Sequence, residues 1–128
     1  MTERISSRTM HIGELAERTG LSLRTIRHYD EVGLLPATGR TEGGFRVYAE
    51  NDVERLTIIK QMKPLGFSLE EMAEILDILS ALESGAHTGG PGHEKLAEFM
   101  ERAKNQRAKM ARNLAQADDF IQRMGKNT

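Results

Sequence analysis

The chain has 128 residues, 18 Lys and Arg against 19 Asp and Glu, and no cysteine. That length supports one small domain with an extension, and a net charge of −1 removes bulk electrostatics as an argument for nucleic acid. The missing thiols exclude disulfides, thiolate metal sites and cysteine redox sensing. No apolar run approaches membrane-spanning length and no signal-peptide stretch opens the chain, so the expectation is a soluble, cytoplasmic protein without a membrane partner. Residues 1–64 hold ten basic against nine acidic side chains and residues 65–128 eight against ten. Any affinity for DNA must therefore come from local placement of Arg and from two copies in a dimer.

Residues 1–9 are polar and aperiodic and read as a flexible arm. Ile12, Leu15 and Ala16 then fall at i, i+3, i+4, one face of a first helix. Gly20 can take the left-handed conformation that stops it, and Ser22 can cap the free N–H groups of a second helix. Leu23 and Ile26 face back toward the first helix, while Arg24, Thr25 and His28 share the other side, flanked by Arg27 and Tyr29. A dry back and a front of this composition suit a DNA major groove: Arg reads guanine edges, and hydroxyls and Tyr fix phosphates. The same ten residues also read as a small helical hairpin with a solvated basic face.

Leu34-Leu35-Pro36 leaves the second helix, and residues 40–48 read as a hairpin. Gly43-Gly44 supply the turn, and Phe45 and Val47 alternate with Arg46 and Tyr48. A hairpin bearing Arg40, Arg46 and Tyr48 beside a recognition helix is a wing that can grip backbone phosphates. Val53, Leu56, Ile59 and Met62 mark a third helix starting near Asn51, with Asn51 or Asp52 as its cap. Pro64 and Gly66 end it. Ser68 and Glu71 then form a capping box, with Phe67 and Met72 as hydrophobic staple, for a fourth helix whose stripe is Met72, Ile75, Leu76, Leu79 and Leu82.

Residues 84–93 are rich in glycine and carry His87 and His93. Two imidazoles supply half a metal site, so the segment reads as a solvated linker and no metal or cofactor is expected. From about Glu94 to Met124 a narrow stripe runs through Leu96, Phe99, Ala103, Gln106, Met110, Leu114, Ala117, Ile121 and Met124. Its steps of three and four, with one extra four at Met110 to Leu114, are a coiled-coil seam with a stutter. A lone helix of that length cannot bury such a stripe by itself and needs a partner; the alternative is a monomeric arm folded back on the domain that precedes it, against which the full-length seam argues.

Ile12-Gly13-Glu14-Leu15-Ala16, Gly20-Leu21-Ser22, Thr25 to Asp30, Gly33-Leu34-Leu35, Gly44 to Tyr48 and Leu65 to Leu69 appear in an order that closely resembles the MerR family of transcription regulators, over roughly residues 10 to 80. The fold class expected is mainly α: a winged helix-turn-helix of four helices plus a small β-hairpin wing, followed by a long dimerisation helix. The segments are an arm (1–9), a DNA-binding domain (10–82), a linker (83–93) and a dimerisation helix (94–124). The resemblance implies that Lys60 and Lys63 face the DNA backbone and that an antiparallel coiled coil joins two winged domains. It further implies a pseudo-palindromic promoter operator whose distortion lets RNA polymerase act. Pro64 departs from the family, which usually has a polar residue there, and Ala49 stands where a hydroxyl residue is common.

The rival reading is an architectural or excisionase-like winged-helix protein. The long seam argues against it. An enzyme is not expected, since Ser22, His28 and Asp30 share one short helix without triad geometry. The effector is unknown: the roughly 45 residues after helix four are too few for a separate ligand domain.

Overall fold

A computed structural model of the protein describes residues 8–85 and 91–126. In chain order they form β1 (Thr9–His11), α1 (Ile12–Thr19), α2 (Leu23–Glu31), β2 (Gly39–Arg40), β3 (Arg46–Ala49), α3 (Asn51–Met62), a 3₁₀ turn (Lys63–Leu65), α4 (Leu69–Glu83) and α5 (Pro91–Lys126). The chain divides into two compact units between Leu76 and Asp77. This is the mainly helical winged helix-turn-helix expected, followed by a long C-terminal helix.

In the first unit Gly20, at φ 76°, donates its N–H to the Ala16 carbonyl and ends α1. Ser22 Oγ accepts the Thr25 N–H at 3.0 Å and starts α2. The turn chemistry of the motif is thus as written in the sequence. The buried face of α2 is not quite the expected one. Ile26 and Tyr29 are buried, whereas Leu23 is 38% exposed. Steps of three residues rotate by about 60° around a helix, so Leu23, Ile26 and Tyr29 cannot all share one narrow face. The core takes the last two. The Tyr29 carbonyl also closes the helix by accepting the N–H groups of Leu34 and Leu35, whose side chains enter the same core.

The wing supplies two strands of a three-stranded sheet. β3 is central, with β1 and β2 antiparallel on its two sides, and Met10 lies opposite Tyr48. Thr9 therefore belongs to a strand and not to the arm; residues 1–7 lie outside the described residues. A three-residue strand with one apolar side chain offers no alternation to detect. α3 begins at Asn51, but neither candidate occupies the cap position. Asp52 instead reaches back from the second helical residue and accepts the Ala49 N–H at 2.9 Å. Burial pushes its carboxyl above the ordinary carboxylate value. Leu56, Ile59 and Met62 line the core side of α3. Pro64 sits inside the 3₁₀ turn and Gly66, at φ 89°, stops it.

The capping box closes as expected: Ser68 N–H donates to Glu71 Oε1 at 2.9 Å, and Glu71 N–H to Ser68 Oγ at 3.1 Å. Phe67 and Met72 are both buried, as a staple requires.

In the second unit α5 runs 36 residues from Pro91, which loses no hydrogen bond at a helix start. Its apolar stripe divides. Phe99 is 5% exposed, with Lys95 and Arg102 over its ring, and Leu96, Ala103 and Gln106 are half-buried. From Met110 onward the stripe lies open: Leu114 is 64% and Ile121 65% exposed, and Met110, Ala117, Phe120 and Met124 are exposed with them.

Candidate nucleic-acid interface

α2 carries the basic face expected of it. Ser22, Arg24, Arg27 and His28 are exposed and Thr25 is half-buried. Ser22 and Thr25 hydroxyls are bonded to each other at 2.9 Å, so the first turn presents a fixed hydroxyl pair. Arg24, Thr25, Arg27, His28, Tyr29, Glu31 and Lys63 line one open cleft of about 460 Å³. Three cations there face a single carboxylate. The cleft can accept polyanion oxygen atoms and, through the Arg forks, planar acceptor pairs.

Four of the expected contact residues are committed elsewhere, wholly or in part. Tyr48 is fully buried, with its ring in the core and its hydroxyl bonded to no group among the described residues. It cannot grip a phosphate, and burial raises its phenol above the usual value. The alternation along the wing holds, but the inner face is that of Arg46 and Tyr48. Tyr29 is likewise buried, although it lines the cleft, and its ring centroid lies 6.2 Å from that of His28. Lys60 Nζ donates to the Thr19 carbonyl at 2.6 Å and so satisfies an orphan acceptor at the end of α1.

Arg46 Nε donates to Asp30 Oδ2 at 2.7 Å, with the two side chains 17% and 18% exposed. This bond holds the Asp30 carboxyl below the ordinary range, and the carboxylate in turn raises the guanidinium. Arg40 remains exposed, its Nη1 donating to the Gly44 carbonyl at the wing tip. Lys63 lines the cleft.

Two residues at this face escape a reading of the sequence. Asp30 is one, although a carboxylate in the last turn of a helix opposes the helix dipole and so signals a specific partner. Phe45 is the other, 67% exposed on a tip held by Thr41, whose N–H donates to the Phe45 carbonyl and whose Oγ1 accepts the Phe45 N–H. Ser22, His28 and Asp30 form no catalytic relay, since Ser22 Oγ is bonded to Thr25 and Asp30 to Arg46 and Ala37. His93 is exposed near the start of α5, and His87 lies outside the described residues. Among the described residues no three His, Asp or Glu side chains gather to hold a metal ion, and no helix is long and apolar enough to cross a membrane.

A helix-turn-helix whose second helix carries an exposed basic face, braced by a sheet, defines a winged nucleic-acid-binding module. The family pattern described as "MerR HTH family regulatory protein" matches residues 10–78, and that described as "MerR, DNA binding" matches residues 53–124. The chain belongs to the MerR family. It is 47% identical over 75 residues to the HTH-type transcriptional regulator YfmP of Bacillus subtilis, covering 58% of this chain and 54% of that protein. It is 44% identical over 73 residues to the mercuric resistance operon regulatory protein of Bacillus cereus, covering 57% and 55%. The chain thus spans about half the length of these relatives. The crystal structure of HiNmlR, a MerR family regulator lacking the sensor domain and bound to promoter DNA, aligns with 92% of this chain and 89% of its own at a TM-score of 0.67 and 26% identity.

Proposed function

We propose that this chain is a sequence-specific transcriptional regulator that binds a pseudo-palindromic promoter operator as a homodimer and distorts it. The observation that carries the reading is the cleft of Arg24, Thr25, Arg27, His28 and Lys63 on the outer face of α2. Arg24 and His28 read base edges; Ser22, Thr25, Arg27, Arg40 and Lys63 hold phosphates. Residues 10–82 form the DNA-binding part, residues 83–93 the linker and residues 94–124 the dimerisation part. Dimerisation falls to the open stretch of the stripe, Met110, Leu114, Ala117, Ile121 and Met124, because Phe99 is already covered within one chain. Likeness to a regulator bound to promoter DNA supports the reading. The protein needs no cofactor, works in the cytoplasm, performs no catalysis and acts on promoters used by RNA polymerase.

Two recognition helices held by one dimer present a single separation and angle to the duplex. Where straight DNA does not meet them, it bends or changes twist, at a cost on the order of 1–6 kcal/mol. The experiment is selection of duplexes from a random-sequence pool, followed by chemical probing of the selected site. Two inverted half-sites with enhanced reactivity at the central steps between them are expected. Binding without half-site symmetry, or a centre that stays straight and unreactive, would point to an architectural protein or to plain recruitment of polymerase.

A further inference from the structure

An acidic residue on a DNA-facing helix repels phosphates, and one in the last turn of a helix opposes its dipole. Asp30 does both, so its presence needs a reason. Its two oxygens divide between two other segments. Oδ1 accepts the Ala37 N–H at 3.0 Å, and Oδ2 accepts Arg46 Nε at 2.7 Å. One carboxylate therefore joins the end of α2, the loop that follows it and the first residue of β3. Arg46 also stands directly opposite Arg40 in the sheet, a like-charge pair that would push the two wing strands apart. Asp30 offsets the charge of one member, and the other turns to the Gly44 carbonyl at the tip. With both partners largely buried, the pair is screened less than a surface ion pair.

We propose that Asp30 is a positioning residue for DNA binding: its carboxylate fixes the wing against the recognition helix, so that Arg40 and Phe45 at the wing tip meet the same duplex as Arg24 and His28. Arg46 then acts through Asp30 and not as a phosphate ligand in its own right. The inference rests on the DNA-binding reading above. It predicts a sign opposite to plain electrostatics, by which removing a negative charge from this face would tighten binding.

The test measures affinity and its salt dependence for the full chain on a duplex selected by the wild-type protein. Asp30→Asn, Arg46→Gln and the double variant are compared. Asp30 carries no positive charge, so a shallower salt slope in Asp30→Asn can come only from phosphate contacts that other residues have lost. The expected result is at least tenfold weaker binding by Asp30→Asn, a slope shallower by about one unit, and lost protection of the outermost phosphates while base preference at the α2 positions persists. Arg46→Gln should match it, and the double variant should be no worse than either single one. Asp30→Glu should recover part of the loss, since it restores the charge at a longer reach. Should Asp30→Asn fail to fold, the double variant, which leaves no lone charge, is read in its place on the same measurements. Wild-type slope with equal or tighter binding overturns the positioning role and leaves the DNA-binding reading intact. A wild-type chain that selects no duplex overturns both.

Discussion

The two units of this chain solve the burial problem differently. In the first, Leu15, Ile26, Leu35, Tyr48, Leu56 and Ile59 come from five separate segments and are all essentially inaccessible, so a small core closes upon itself. In the second, a 36-residue helix shows Met110, Leu114, Ile121 and Met124 to solvent on the very stripe that buries Phe99 a few turns earlier. The helix is thus covered at one end and bare at the other. The first unit can be argued from one copy of the chain, whereas the second leaves an apolar stretch open, the stretch that the proposed function gives to a second copy.

Substituting Leu114 and Ile121 together by Asp tests the contrast most severely. If their exposed stretch is a dimer seam, two charges enter an apolar interface at a cost of several kcal/mol. Sedimentation should then show a monomer, and operator affinity should collapse. A variant that stays dimeric removes the seam. The complementary change is Leu56→Ala, in the closed core, with an expected loss of about 2–5 kcal/mol in stability. Thermal melting should drop while the sedimentation of folded protein stays dimeric; loss of both together would mean that the two units do not behave separately.

Smaller effects separate roles inside the winged unit. Arg24→Ala or His28→Ala should relax base preference at particular operator positions, with about 1–3 kcal/mol at stake for each good contact. Unchanged preference in both would move base readout to other residues. Acid sharpens the comparison of the two carboxylates. Asp30 has a depressed pKa when folded, so its contribution is present above the unfolded value and is lost as pH falls through the folded one. Asp52 has a raised pKa, so its ionised form opposes folding at neutral pH and protonation relieves it. Melting of Asp30→Asn should therefore approach the parent below the ordinary carboxylate range, while Asp52→Asn, which keeps an acceptor for the Ala49 N–H, should be no less stable than the parent at neutral pH. The smallest effect expected is none. His87 and His93 changed together to Ala should leave DNA binding and promoter output the same across zinc, cobalt, nickel and copper, and a metal response lost in that variant would reveal a site.

Local chemistry makes much of this molecule legible from its sequence. Gly20, Ser22, Ser68 and Glu71 act within four residues of themselves, through a left-handed turn, a cap and a capping box, so their roles travel with the sequence. The stripe on α5 is legible for the same reason, since periodicity is a local property. What only the tertiary structure decided concerns side chains whose partners lie far along the chain. Arg46 meets Asp30 across 16 residues and Lys60 meets the Thr19 carbonyl across 41. Arg46 reads alone as a phosphate ligand and the family resemblance implies the same for Lys60, because nothing nearby in sequence announces a competing acceptor. β1 needs β3 to become a strand at all, and Tyr48 looks like a wing contact until Met10 is set opposite it. The short-range signals name the recognition helix; the long-range pairs decide which of its basic and aromatic neighbours remain free to meet DNA.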